Sequence, residues 1–197
     1  MSIQANVGLA PWDAFSMGVS NLTGISYGNI SILTGIVILI VVAGFLKEKI
    51  GIGTILNTVL IGIMVDFMQS MNLIPFMNNY FLGTLMLLLS QVVVSLATYF
   101  YISPGMGCGP RDTLMVGLGK KFPTVPIGAI RGSIEGTVLL IGYLLGAKVG
   151  LGTVIAVFGI SFILQYTFKL LKFDIKAVVH ENIFETFINL KNVLVKS

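Results

Sequence analysis

The chain has 197 residues, of which 55% are hydrophobic and only 10% charged, whereas about 25% are charged in a typical soluble domain. This composition, with a mean hydropathy of +0.96, excludes a soluble globular enzyme, a disordered tail and a nucleic-acid-binding domain. The single cysteine, Cys108, excludes a disulfide scaffold. In a membrane protein, a net charge of +4 first affects contact with lipid headgroups and orientation in the bilayer, before any other partner.

Five stretches are apolar and long enough to cross a hydrocarbon core about 30 Å thick. The second contains Asp66 near its end, and the fourth contains Arg131 and Glu135. We therefore predict an all-α polytopic membrane protein with five full spans. In chain order these are residues 29–46, 50–70, 80–102, 127–147 and 149–168.

Lysine and arginine in short loops determine orientation, because basic residues stay on the cytoplasmic side. Segments 47–49 and 103–126 and the residues after the last span are basic, whereas segments 1–28 and 71–79 contain no Lys or Arg. This alternation predicts an N-terminus outside and a C-terminus in the cytoplasm. Lys148 is the one basic residue on the unexpected side.

The tail, residues 173–197, places apolar side chains at three- and four-residue spacing with polar ones between them. This pattern predicts a cytoplasmic amphipathic helix. Two positions are open for it: the inner membrane surface, or the protein's own cytoplasmic face.

Two glycine motifs recur 99 positions apart, which predicts a duplication with repeat 1 at residues 1–71 and repeat 2 at residues 80–172. Each repeat has a Gly/Pro-rich leading segment, a short half-helix, a span, a G-x-G-T turn and a second span. Repeat 2 has an extra span first, so a complete repeat has three. An odd number of spans inverts the second copy, as in many secondary transporters. The paired motifs are Gly8-x-x-Pro11-x-Asp13 with Gly107-x-x-Pro110-x-Asp112, and Gly51-x-Gly53-Thr54 with Gly150-x-Gly152-Thr153.

Repeat 1 lacks a counterpart of the extra span, because Ile3 aligns with Ile102. We expect that its first span is missing through a shortened or misassigned start, with a true five-span chain as the alternative.

The motifs N-x-G-x-A-P-W-D from Asn6, G-x-G-P-R-D from Gly107 and K-F-D-x-K-x-V-x-H-E from Lys172, together with G-x-G-T, resemble the bacterial YczE/YyaS/AitC family of integral membrane proteins. A more distant likeness to YitT-type membrane proteins accompanies it. The resemblance covers the chain from Asn6 onward. It implies a location in the bacterial cytoplasmic membrane and says little about substrate.

Asp13 and Asp112 each lie two residues after a proline that suits the first turn of a helix. One interpretation is that both acids cap short helices, because a carboxylate is favourable at a helix N-terminus. The other is that two half-helices enter from opposite faces and their N-termini hold a substrate or ion.

Arg131 and Glu135 are four residues apart and therefore share one helix face. They form either a local ion pair at the interface or part of a proton, cation or anion path. We predict that glycines in the spans serve close helix packing. For Gly132-x-x-x-Gly136 the alternative is a homo-oligomer face. The glycines in question are Gly28, Gly35, Gly62, Gly128, Gly132, Gly136 and Gly142.

The sequence contains no Walker loop, no H-E-x-x-H motif and no intramembrane protease dyad, and its single histidine, His180, has no metal-ligand neighbour. We therefore expect no catalytic residues, metal or cofactor. The leading hypothesis is a gradient-driven transporter of a small solute or ion, with Asp13, Asp112, Arg131 and Glu135 on the substrate path. The alternative is a non-transporting membrane scaffold or regulatory partner of another protein.

Overall fold

The computed structural model describes residues 1–48, 50–125 and 127–173. These residues form seven α-helices and no strand, which confirms the prediction of an all-helical protein. Apart from Phe173, the predicted amphipathic tail and His180 lie outside the described residues. The helices are α1 (Pro11–Thr23), α2 (Tyr27–Val41), α3 (Ile52–Ser70), α4 (Tyr80–Ile102), α5 (Pro110–Lys121), α6 (Ile127–Leu144) and α7 (Leu151–Leu170), and a π-helical turn (Val42–Leu46) extends α2.

Four helices within the described residues are long and apolar enough to cross a membrane: α2 with its π-helical turn, α3, α4 and α7. Their most apolar stretches have mean hydropathies of 1.5 to 2.5, yet no more than 33% of any such stretch is buried inside the protein. Outward apolar side chains such as Phe162, which is 72% exposed, suit contact with lipid rather than water. The fifth predicted span corresponds to α6, which has 18 residues and contains Arg131 and Glu135, and its crossing remains a prediction.

Glycine allows these helices to approach closely. A side chain at Gly28 of α2 would overlap the carbonyl oxygen of Gly62 in α3, and one at Gly35 would overlap Thr58. In the α4–α7 pair, Gln91 Nε2 donates to the Ile155 carbonyl oxygen at 3.3 Å. Small residues and single interhelical hydrogen bonds replace the hydrophobic effect as the source of helix association in lipid.

The bundle has two ends, which we name after the last residues of two neighbouring helices. The Ser70 end is where α3 stops and α2 starts, and the Leu46 end is where the π-helical turn stops and α3 starts. Helix α1 ends at the Ser70 end, because Ser20 Oγ donates to the carbonyl oxygen of Ile25, just before α2. Helix α5 ends at the Leu46 end, because Lys120 forms a 2.7 Å ion pair with Glu48. The two short helices therefore point their C-termini to opposite ends of α2.

Each short helix is preceded by a segment that is held against a distant G-x-G-T turn. Gly152 N donates to the Val7 carbonyl oxygen at 2.8 Å, and Gly53 N donates to the Met106 carbonyl oxygen at 3.0 Å. The residue that follows each acceptor is a glycine with positive φ, Gly8 at +128° and Gly107 at +117°. An L side chain is strained at such φ values, and a Cβ there would also meet the turn. The G-x-G-T turns thus start α3 and α7 and also anchor the segments that lead to the half-helices.

Candidate functional site

The N-termini of the two half-helices meet inside the bundle. The Arg111 guanidinium of α5 lies 5.0 Å from the centre of the Trp12 ring in α1. This is a cation–π contact, which is stronger where water is excluded. Trp12 and Arg111 are both half-buried and stand 99 positions apart, so they occupy equivalent places in the two proposed repeats.

Asp13 follows Trp12 and accepts hydrogen bonds from two hydroxyl groups. The Tyr27 hydroxyl donates to Oδ1 at 2.7 Å, and Ser2 Oγ donates to Oδ2 at 3.3 Å. Tyr27 is buried, being 8% exposed, and belongs to the first turn of α2. The partners of Asp13 in the described residues are therefore side chains from other segments, rather than the backbone N–H groups that the capping interpretation requires.

Asp112 follows Arg111 and occupies the matching place in α5. The Tyr101 hydroxyl donates to Asp112 Oδ2 at 3.2 Å. A Cβ built on Gly109 would lie 3.6 to 3.7 Å from Asp112 Oδ2, the Tyr101 hydroxyl and Asn57 Oδ1. Polar atoms from α3, α4 and α5 therefore converge on one point beside the N-terminus of α5.

Burial raises the pKa of Asp112, and Glu135 raises it further, whereas Arg131, the Tyr101 hydrogen bond and Arg111 oppose that rise. Burial has the largest effect, since a buried carboxylate loses its hydration. The carboxyl group therefore holds its proton to higher pH than a free aspartic acid. A carboxyl that changes protonation within an enclosed polar site suits a place where a proton or cation is exchanged.

Arg131 and Glu135 form the predicted ion pair, with Arg131 Nε 2.9 Å from Glu135 Oε1. Both residues act on the pKa of Asp112, so the pair lies close to the α5 acid rather than apart from it. The Glu135 side chain is 19% exposed and that of Arg131 is 40% exposed. Arg131 and Glu135 thus act electrostatically on Asp112, whereas Asp13 is held by Tyr27 and Ser2.

Cys108 lies beside this group. Burial, with a smaller contribution from Asp112, raises its pKa to about 11. The thiol is therefore protonated at neutral pH, which argues against a role as a nucleophile. No cluster of three or more His, Cys, Asp or Glu that could hold a metal ion occurs within residues 1–48, 50–125 and 127–173.

Asp66 has a structural contact that sequence reasoning did not identify. Its Oδ1 accepts from Gly28 N at 2.7 Å, and Ser26 Oγ donates to its Oδ2. The carboxylate of α3 therefore occupies the N-terminus of α2, where its charge is favourable.

Gly132 and Gly136 do not pack within the described chain. A Cβ added at either position meets no atom within 4 Å. The packing interpretation therefore does not account for this pair, whereas it does account for Gly28, Gly35, Gly62 and Gly142. For Gly128 in α6, the packing interpretation stays a prediction.

Sequence reasoning did not assign to the site four residues near the half-helix N-termini: Arg111, Tyr27, Tyr101 and Asn57. Arg111 was counted as a loop charge, although its place opposite Trp12 at the 99-residue spacing was an available signal. The tyrosines carry no local motif, because each reaches its aspartate from a different helix.

Comparison with known proteins places these residues in a family. The sequence matches a family of unknown function, DUF6198, over residues 1–169. The chain belongs to the DUF6198 family. It is 30% identical over 161 residues to an uncharacterized membrane protein, YczE, of Bacillus subtilis (strain 168), which covers 82% of this chain and 74% of the relative.

A second family relative, an uncharacterized protein of Haemophilus influenzae (strain ATCC 51907 / DSM 11121 / KW20 / Rd), is 31% identical over 164 residues, covering 83% of this chain and 73% of the relative. No solved structure matches the chain. The resemblance to YczE-type proteins is thus confirmed. With the apolar helices, it identifies the chain as a multi-pass integral membrane protein in contact with the lipid bilayer.

Proposed function

We propose that the chain is a gradient-driven transporter of a small solute or ion, whose path passes between the N-termini of α1 and α5. The observation that carries this proposal is the contact between Trp12 and Arg111, with Asp13 and Asp112 each one residue away. Helices that stop inside a membrane protein direct their positive N-terminal ends and nearby polar groups at a substrate. Non-spanning backbone at membrane depth is stable only where protein covers it or water reaches it.

The proposal includes an inverted duplication, which contacts repeated 99 positions apart support. If α1 descends from one face and α5 from the other, equivalent residues of the two repeats have equivalent partners. Four pairs of contacts in the structure are of this kind. They are Val7–Gly152 with Met106–Gly53, Gly8–Thr153 with Gly107–Thr54, Gly18–Leu145 with Gly117–Leu46, and Ser2–Asp13 with Tyr101–Asp112.

The proposed orientation in a bacterial cytoplasmic membrane puts the Ser70 end outside and the Leu46 end in the cytoplasm. Arg111 contacts Trp12 inside the bundle and no longer counts as a loop charge, but Lys120 and Lys121 still mark the Leu46 end. Lys148, the exception, donates to Asn6 Oδ1 at 3.1 Å, so a specific hydrogen bond accounts for its place.

Flux measurements on proteoliposomes test the transport proposal. The purified full chain is reconstituted and assayed with a panel of inorganic ions, amines, carboxylates and neutral solutes under an imposed gradient. We expect flux of at least one solute class, and loss of about tenfold or more in Asp13→Asn and in Asp112→Asn, since each removes an ionisable carboxyl group from the path. Glu48→Gln, which removes a carboxylate paired with Lys120 at the Leu46 end, serves as the matched control and keeps wild-type flux.

An absence of flux across the panel would contradict the proposal and favour the scaffold alternative. That alternative predicts that deleting residues 174–197 abolishes the cellular role while insertion stays intact. The transport proposal predicts that flux survives this deletion.

A further inference from the structure

A cavity of about 460 Å³ lies at the Ser70 end, between the C-terminal part of α1, the start of α2 and the end of α3. Its walls include Met17, Ser20, Ser26, Tyr27, Asp66 and Gln69. This volume is within the range of small-molecule binding sites. Of the residues at the half-helix N-termini, Tyr27 also lines this cavity.

The serine hydroxyl groups that line the cavity donate hydrogen bonds to other atoms of the protein. Ser20 Oγ donates to the Ile25 carbonyl oxygen at 2.6 Å, Ser70 Oγ donates to the Phe67 carbonyl oxygen at 2.8 Å, and Ser26 Oγ donates to Asp66. A hydroxyl group has one proton, so toward the cavity these serines offer lone pairs. The cavity therefore favours a ligand that carries hydrogen-bond donors.

The charge in the cavity also favours a ligand that carries hydrogen-bond donors. Asp66 is its one ionisable acid, and no Lys or Arg is among the lining residues. The N-terminus of α2 does not attract an anion here, because Asp66 Oδ1 already accepts from Gly28 N. A cation is thus favoured over an anion of the same size.

Gln69 adds a requirement for one acceptor. Its Nε2 atom is buried and has no hydrogen-bond partner among the described residues. An unpaired buried amide is unfavourable, and Gln69 lines the cavity, so a rotation of its side chain would bring the amide to an oxygen atom of a ligand. The complementary ligand has a cationic donor group and an oxygen acceptor.

One face of α1 leads from the cavity toward Asp13. Met17 and Ser20 lie four and seven residues after Asp13, so all three share that face. Tyr27 is both a wall of the cavity and the donor to Asp13 Oδ1. A cation that passes from Asp66 to Asp13 therefore has to replace the Tyr27 hydroxyl as the partner of Asp13 Oδ1.

We propose that this cavity is the vestibule for a small protonated amine that carries an oxygen acceptor, and that Tyr27 separates the vestibule from Asp13. The inference rests on the proposed transport function and deepens it by naming the class of substrate. Ethanolammonium is the simplest molecule with both features, and it is the probe used below.

Calorimetric titration of the full chain in lipid nanodiscs measures binding without requiring transport. We expect saturable binding of ethanolamine hydrochloride, and binding about tenfold or more weaker in Asp66→Asn, because a charge-assisted hydrogen bond is lost. The amide can still accept from Gly28 N, which preserves the helix start. Glu48→Gln is the matched acid-to-amide control and binds like the wild type.

Gln69→Ala provides a second variant with no change in charge. It should reduce the preference for ethanolamine over ethylamine, which lacks the oxygen, while ethylamine binding changes little. The vestibule is overturned if ethanolamine does not bind, if Asp66→Asn binds it as well as the wild type, or if sodium acetate binds equally. Equal preference for the two amines in wild type and Gln69→Ala overturns the acceptor requirement.

Flux measured on the same preparations separates this inference from the proposed function. Ethanolamine binding that depends on Asp66, without flux of any solute, contradicts transport and retains the site. Flux of another solute class that is insensitive to Asp66→Asn contradicts the vestibule and retains transport. Tyr27→Phe should change the rate of amine flux with little change in binding, and Tyr80→Phe, on an exposed tyrosine of α4, is its control.

Discussion

At the level of single residues, Asp112 is a buried acid, and its burial disfavours the ionised form of the carboxyl group. Its pKa is raised above 3.8 chiefly by burial, and Arg131, the Tyr101 hydroxyl and Arg111 only partly offset this. A group with a raised pKa in the folded state binds protons more tightly when folded than when unfolded. The stability of the protein therefore falls as pH rises from about 3.8 through the raised pKa.

A variant without the carboxylate tests this dependence of stability on pH. Asp112→Asn should be more stable than the wild type at neutral pH, because the amide has no charge to bury and still accepts from Tyr101. The advantage should shrink as pH falls below the raised pKa. Thermal unfolding in detergent at pH 4 and pH 7 measures it, with Glu48→Gln as a control that brings no gain at pH 7. An advantage that is equal at both pH values would contradict the assigned role of burial.

The second prediction concerns the contact between the half-helices. Arg111→Gln should lower the free energy of unfolding by about 0.5–2 kcal/mol, because the cation–π contact with Trp12 is lost. Trp12 is the one tryptophan of the chain, so its emission should also change. Lys121→Gln removes a positive charge from the exposed end of the same helix and should leave both readouts unaltered. Unchanged emission in Arg111→Gln would mean that the two residues do not meet.

At the element scale, the half-helices depend on two glycines that no other residue can replace without strain. A Cβ on Gly8 would lie 2.7 Å from Thr153 N, and one on Gly107 would lie 2.5 Å from Thr54 Oγ1. Both residues also have positive φ, which L side chains rarely adopt. Each glycine thus allows a leading segment to lie directly against a G-x-G-T turn.

The third prediction is that Gly8→Ala and Gly107→Ala each lower the free energy of unfolding by about 1–3 kcal/mol, through strain at the backbone and overlap with the turn. Equal losses are expected, since the two sites are equivalent. Gly44→Ala, where an added Cβ meets nothing within 4 Å, is the control and should be close to neutral. Thermal unfolding of the three variants compares them, and tolerance of alanine at Gly8 or Gly107 would contradict the packing described.

Sequence reasoning predicted the elements better than their contacts. Hydropathy identified four of the five predicted spans as helices long and apolar enough to cross a membrane, because lipid-facing residues are apolar all along a helix. Pro11 and Pro110 marked the half-helices because proline suits a helix start. The contacts of Tyr27 with Asp13 and Tyr101 with Asp112 join different helices, and no local pattern encodes such contacts. The Asp66–Gly28 contact was missed for the same reason.

Across the whole molecule, the two short helices begin close together and end at opposite ends of the bundle. Their N-termini meet at Trp12 and Arg111, while α1 ends beside Ile25 and α5 ends beside Glu48, at opposite ends of α2. Helix α2 with its π-helical turn has 20 residues, about 30 Å, which matches the thickness of a hydrocarbon core. The proposed entry of the two segments from opposite faces would account for this arrangement and for the 99-residue spacing of their contacts.

Sided thiol labelling tests whether α1 and α5 enter the membrane from opposite faces. Single cysteines are placed at Asn21, near the end of α1, and at Lys121, the last residue of α5, in a Cys108→Ser chain. A membrane-impermeant maleimide is applied to right-side-out and to inverted vesicles. The account predicts labelling of Asn21→Cys from the outside and of Lys121→Cys from the cytoplasmic side. Labelling of both cysteines from the same face would contradict it.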